Sequence, residues 1–310
     1  MKILKILFML LLYRPLAMNS KFSSLLLGIL ITCVFASKAK AQTAKQNLNI
    51  SFLLDLSDRI SPRKNPNATM QYYQRDLQYI RSIERAFVNH IKQKRILQLN
   101  DQMQVFFDPE PENAEINRLS QQLKVSFNSK SNKSNIENVD KIFSTLPMKI
   151  YQSAIKDNHY IGSDIWSFFK NKVEDYCIKD KHRNILVIIT DGYMYHKDSK
   201  FLEKGKSSYI TADFIQKNKL SSSDYQSIIK KNNLGFIAFP YNLKELEVVV
   251  LGINPSKKNP YEGDVIKQYW SDWFRAMKVK KFYIKTADLP ADLEPVLQDI
   301  IIGANKIIYP

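Results

Sequence analysis

The sequence predicts an α/β protein of Rossmann-like, doubly wound type, with a mostly parallel sheet covered by helices on both faces. Three observations carry this. The strand-like runs at 50–54, 184–192 and 245–254 are mostly apolar on both faces, which suits strands buried on two sides. Between them lie stretches whose apolar residues recur at the helical spacings of three, four and seven. Strand and helix patterns alternate through most of the chain, as in parallel sheets built from crossover units.

The first 41 of the 310 residues stand outside this pattern. Met18 and Lys21 open a basic stretch, Leu25 to Ala36 is an apolar run of 12 residues, and Ala39-Lys40-Ala41 is a small-x-small cleavage site. This is the layout of a secretory signal peptide whose true start is Met18. Two other readings of the segment stay open: a membrane anchor, for which 12 apolar residues are short, and a lipoprotein signal at "LITC". Cleavage after Ala41 leaves 269 residues, ten more Lys and Arg than acids, and no stable transmembrane anchor. The basic residues are spread along the chain, which argues against a nucleic-acid partner. Cys177 is the one cysteine left, so neither a disulfide nor a cysteine metal cluster is expected. The leader and the Lys- and Asn-rich composition point to a bacterial protein, periplasmic or extracellular.

Residues 42–48 read as a polar tether and 49–304 as one domain, with 305–310 as a tail. The first strand ends in "DLSDRIS", and "SPRKNPNAT" follows as a loop. A helix then carries Tyr73, Leu77, Ile80, Phe87 and Ile91 on one face, with Arg75, Arg81, Arg85 and Lys92 on the other. "QMQVFF" is a second strand and "LKVSF" a short third one. Ser134 with Glu137 forms the capping box of a helix bearing Ile136, Val139, Phe143 and Leu146. Another helix starts near "IGSD" and presents Trp166, Phe169, Val173 and either Tyr176 or Cys177 on one face. The strands "NILVIITDG" and "ELEVVVLGIN" follow, separated by an insertion over about 192–243 that is too long for a plain connection. A helix with Trp270, Trp273, Phe274 and Met277, the strand "KKFYIKT" and a helix over 291–302 complete the domain; the aromatic cluster has core spacing.

Three oxygen-rich loops therefore fall at one edge of the sheet: "DLSDR" at 55–59, "GSD" at 162–164 and "TDG" at 190–192. Carboxylates, hydroxyls and waters are hard ligands of the kind that hold Mg²⁺. This ordered set resembles the von Willebrand factor type A domain and its metal-ion-dependent adhesion site, over roughly residues 48–304. The resemblance implies that Asp55 and Ser57 fill the first two motif positions, that Ser163 replaces the Thr of the second loop, and that Asp191 is the distal Asp. It also implies the short antiparallel strand at the sheet edge, a Mg²⁺ ion, with Mn²⁺ or Ca²⁺ as substitutes, and a partner protein whose acidic side chain completes the ion's coordination. Asp58, Ser61, Asp164 and Gly192 flank the site.

The third motif position departs from the family, because Arg59 stands where it has Ser. A guanidinium cannot ligate a metal; it can pair with Asp55 or Asp191 and take the ion's place. Three functions remain open at this point: an exported protein-binding module without enzymatic activity, a metal-dependent hydrolase of phosphate or sulfate esters, and a metal-free scaffold. His90, His159 and His182 lack ligand spacing, and His196 draws notice for lying just past Asp191.

Overall fold

The computed structural model describes residues 45–160 and 162–303. The expected leader, its start at Met18, residues 42–44 of the tether and the tail at 305–310 lie outside them. In chain order the elements are β1 (Asn47–Leu54), α1 (Tyr72–Lys92), β2 (Gln102–Phe106), α2 (Ala114–Gln121), β3 (Val125–Ser126), α3 (Lys133–Asp157), α4 (Ile165–Asn171), α5 (Val173–Cys177) and β4 (His182–Ile189). The insertion contributes β5 (Leu202–Glu203), β6 (Lys206–Ser207), α6 (Ala212–Lys217), α7 (Tyr225–Lys231) and β7 (Gly235–Phe236). Then come β8 (Leu246–Ile253), α8 (Glu262–Ala276), β9 (Lys281–Thr286) and α9 (Pro290–Ile302).

Six strands form the main sheet in the order β3-β2-β1-β4-β8-β9, parallel throughout except for β3. Both faces are covered, as the two-sided apolar strands require. Ile50, Phe52 and Leu54 of β1 pack with Ile80, Phe87, Phe143 and Leu297 on one side, while Leu53 packs with Phe168, Phe169, Trp270 and Trp273 on the other. The aromatic cluster of α8 is thus core. From β1 the chain builds outward through β2 to β3, and from β4 it builds the opposite way through β8 to β9. The ends of β1 and β4 therefore flank the switch point, where doubly wound sheets open a crevice.

Several boundaries move for local reasons. Asn47 and Leu48, expected in the tether, belong to β1, because Leu48 is buried and its N–H donates to the Asp101 carboxylate at 2.8 Å. The α3 cap is Asn132 rather than Ser134: Asn132 and Asn135 exchange reciprocal bonds of 3.0 and 2.8 Å. An Asn caps as well as a Ser, and starting earlier adds helix. The single helix expected after "IGSD" is two, α4 and α5, joined at Lys172. Arg75, expected on the open face of α1, is buried and donates to the Met70 carbonyl, to that of Ala287 and to Asn67. The insertion carries its own three-stranded sheet, β5-β6-β7. No helix among the described residues is long and apolar enough to cross a membrane.

Candidate functional site

Asp55 follows the last residue of β1 and sits buried, with its N–H donating to the Ile189 carbonyl at the end of β4. Its carboxylate is oriented from two sides: Oδ1 accepts the Ser57 N–H at 2.8 Å and Oδ2 accepts the Thr190 hydroxyl at 2.8 Å. Asp191 follows Thr190 directly, and its Oδ1 accepts the Tyr193 N–H at 3.1 Å. Burial first, and then the negative charge of Asp55, push the Asp191 carboxyl up to about 7, against the opposing pull of Arg59. The two acids of the motif therefore share one crevice and act on each other across it.

Gly192 turns the chain away from Asp191 with φ +98°, where a Cβ would meet Ile253 at 2.6 Å and Ile266 at 2.8 Å. Glycine is the residue that this close, left-handed turn admits. Its carbonyl accepts the Trp270 indole N–H at 2.9 Å, so the site is tied to the α8 core.

Arg59 points inward. Its Nε donates to the Asp55 carbonyl at 3.2 Å and lies 3.6 Å from the Asp55 carboxylate, while Nη2 donates to the Ile189 carbonyl at 3.2 Å and to Asp76 of α1 at 2.5 Å. Asp76 in turn accepts the Tyr151 hydroxyl of α3 at 3.0 Å. Burial alone would depress the guanidinium; the carboxylates of Asp76 and then Asp55 outweigh it, so Arg59 stays charged. Burial likewise raises Asp76 against the pull of Arg59. We take this triad as an ion pair, because a 2.5 Å bond to a permanently charged guanidinium favours the carboxylate. The sequence points to Asp55 or Asp191 as partners of Arg59; the main partner is Asp76, 17 residues downstream on a helix face that no motif marks.

The other flanking residues divide. Asp58 is exposed and pairs with Lys64 at 3.2 Å, and Ser61 Oγ accepts the Lys64 N–H at 3.4 Å. Asp164 caps α4 by accepting the Ser167 N–H at 2.9 Å, and its own N–H donates to the Asp108 carbonyl at 2.6 Å. Ser163 is buried, bridges Tyr195 just past Asp191, and has a hydroxyl without a hydrogen-bond partner. His196 stands 3.5 Å from the Asp164 carboxylate. The other histidines sit elsewhere: His90 beside Asp101, His159 beside Glu112, and His182 between the carbonyls of Asp180 and Asn100.

Chemically, this edge offers two carboxylates and two hydroxyls. Among the described residues, no three His, Cys, Asp or Glu side chains are grouped to hold a metal. An ion here would rest on Asp55, Asp191, Ser57, Ser163 and waters, a sparse oxygen set of the kind Mg²⁺ accepts. The orphaned Ser163 hydroxyl and the raised Asp191 carboxyl fit that group.

No family model matches the chain, and no curated protein matches it. Among solved structures it is similar to the conserved hypothetical protein BatB from Bacteroides thetaiotaomicron, at 10% identity and TM-score 0.36, over 82% of this chain and 97% of that one. A D319A mutant of the PilB minor pilin from Streptococcus sanguinis aligns at 9% identity and TM-score 0.38, over 86% of this chain and 65% of the pilin. The pilus adhesin SpaC from Lactobacillus rhamnosus GG, in its open conformation, aligns at 12% identity and TM-score 0.36, over 84% of this chain and 30% of the adhesin.

Proposed function

We propose that the chain is an exported protein-binding module of the von Willebrand factor A type, without enzymatic activity, whose crevice between β1 and β4 engages an acidic side chain of a partner protein. One juxtaposition supports this most. Asp55 and Asp191 share a crevice whose nearest cation, Arg59, is held on its far side by Asp76, while Ser163 at the same edge leaves a buried hydroxyl unpaired. A divalent ion would relieve both deficits at once. When bound, Mg²⁺ or Mn²⁺ supplies an electrophilic position for the partner's carboxylate. Asp55, held by Ser57 N–H and Thr190, and Asp191, held by Tyr193 N–H, are pre-oriented for it. The metal-free reading draws on the 3.6 Å approach of Arg59 to Asp55, which already supplies some positive charge.

Thermal unfolding separates the two. Mg²⁺ or Mn²⁺ at a hundred times its Kd stabilises the native state by about 2.7 kcal/mol, and the Asp191→Ala variant loses that increment. A parent protein whose melting temperature ignores both ions is a metal-free scaffold.

A further inference from the structure

A parallel sheet gathers the segments that lead into its strands at one edge, opposite the crevice. Residues 92–101, 127–133, 178–181, 243–245 and 277–280 lie there, because β1, β2, β4, β8 and β9 all start at that edge and β3 runs back toward it. Together with Lys45 these segments hold eleven Lys or Arg against Asp101, Asp180 and Glu245. Asp101 is buried and already paired with Lys94 at 2.6 Å. At the crevice edge the corresponding residues, 55–71, 107–113, 158–164, 190–200, 254–261 and 287–289, hold seven Lys or Arg against nine acids. Charge is therefore segregated between the two poles of the fold.

The basic pole also carries aliphatic side chains in water. Leu97 is 83% exposed and Ile96 48%, on a single 3-10 turn after α1, flanked by the exposed Lys92 and Arg95. Ile302, 47% exposed, ends α9 at the same pole: Arg85 of α1 pairs with Glu294 of α9 at 2.6 Å, and Arg183 at the start of β4 donates to the Ile300 and Ile301 carbonyls. Lys45, the first described residue, lies here as well, since it bonds to Gln93.

We propose that this pole docks on an anionic lipid surface. Cations ringing projecting aliphatic residues suit a bilayer interface, where headgroup phosphates meet the Lys and Arg and the aliphatic tips enter the acyl boundary. Docked in this way, the protein turns its crevice away from the membrane toward a partner.

The test uses the protein as exported, with its amino terminus fixed by intact mass, in co-sedimentation with vesicles of phosphatidylglycerol and phosphatidylcholine or of phosphatidylcholine alone. Binding is expected to the anionic vesicles and to weaken at high salt. The Lys92→Glu/Arg95→Glu variant should lower affinity on the order of tenfold or more, and Leu97→Ser should lower it several-fold, with melting temperature and Mg²⁺ response unchanged in both. Equal binding to neutral vesicles overturns the proposal. So does binding that survives both variants, which would place the affinity outside this pole. Preference for duplex DNA over vesicles, or no vesicle binding with Lys92→Gln lowering stability, overturns it too; the cations would then serve nucleic acid or the carbonyl end of α1.

Discussion

The floor and the rim of the crevice are built from the same kinds of polar side chain and end in opposite states. On the floor, Arg59, Asp76 and Tyr151 satisfy one another and the strand-end carbonyls of Asp55 and Ile189. On the rim, Ser163 and His196 each keep a buried polar atom without a hydrogen bond, and Asp191 holds its proton to about 7. Unpaired buried polar groups cost free energy, and Ser163 and His196 carry two of them at this edge. Arg59 is therefore tied to α1 and, through Asp76, to α3, whereas the rim keeps polar atoms with hydrogen bonds still to make.

The largest expected effect breaks the floor. Arg59→Ser puts a serine at the third position of the von Willebrand factor A-like loop that the sequence resembles but strands Asp76 in the core, and should cost about 3–5 kcal/mol in chemical denaturation. An Arg59→Met/Asp76→Leu pair should recover most of that loss; a double variant as unstable as the single one would mean that Arg59 acts through Asp55 instead. Next, Tyr151→Phe removes one hydrogen bond to a charged group and should cost about 1.5–3 kcal/mol with the Mg²⁺ response intact. A metal response that falls with it would merge floor and rim into one unit.

A pH profile sharpens the comparison from the rim side. Because the native Asp191 carboxyl is raised, its contribution to stability is full below the unfolded value near 4 and is lost as pH rises through about 7. In chelator, the melting temperature should therefore decline over that window, and Asp191→Asn should flatten the decline; a profile identical in the two proteins would contradict the raised carboxyl. The smallest effect belongs to Ser163→Ala, which deletes an unpartnered hydroxyl and should change metal-free stability by no more than about 0.5 kcal/mol while reducing the Mg²⁺ increment. A large loss without metal would show that the hydroxyl has a structural partner.

Much of this was legible along the chain because it is local. An apolar run ending in an acid marks β1 with Asp55 and β4 with Asp191, since a strand buried on both faces is mostly apolar and its charged residues gather where it ends. The helix of Tyr73, Leu77 and Ile80 was equally plain from its period, yet Asp76 on that helix and Tyr151 on α3 were not. Polar residues on a helix read as a solvated face unless their partner is in view, and these partners lie 17 and 75 residues away. The same blindness put Arg75 on an open face, whereas the α3 cap was a choice between two local pairs of equal spacing, Ser134 with Glu137 and Asn132 with Asn135.

The alternation of buried strands and amphipathic helices, the acids at the strand ends and the loop that carries Ser163 are set locally, because each follows from periodicity or from a few adjacent residues. Tertiary structure alone decided that β1 and β4 lie side by side at the switch point, that Arg59 turns to Asp76 rather than to Asp191, and that basic segments scattered from Lys45 to Lys280 share one pole. The physical reason is range: a charge chooses its partner by distance and burial, and both are set only once strands far apart in the chain have paired.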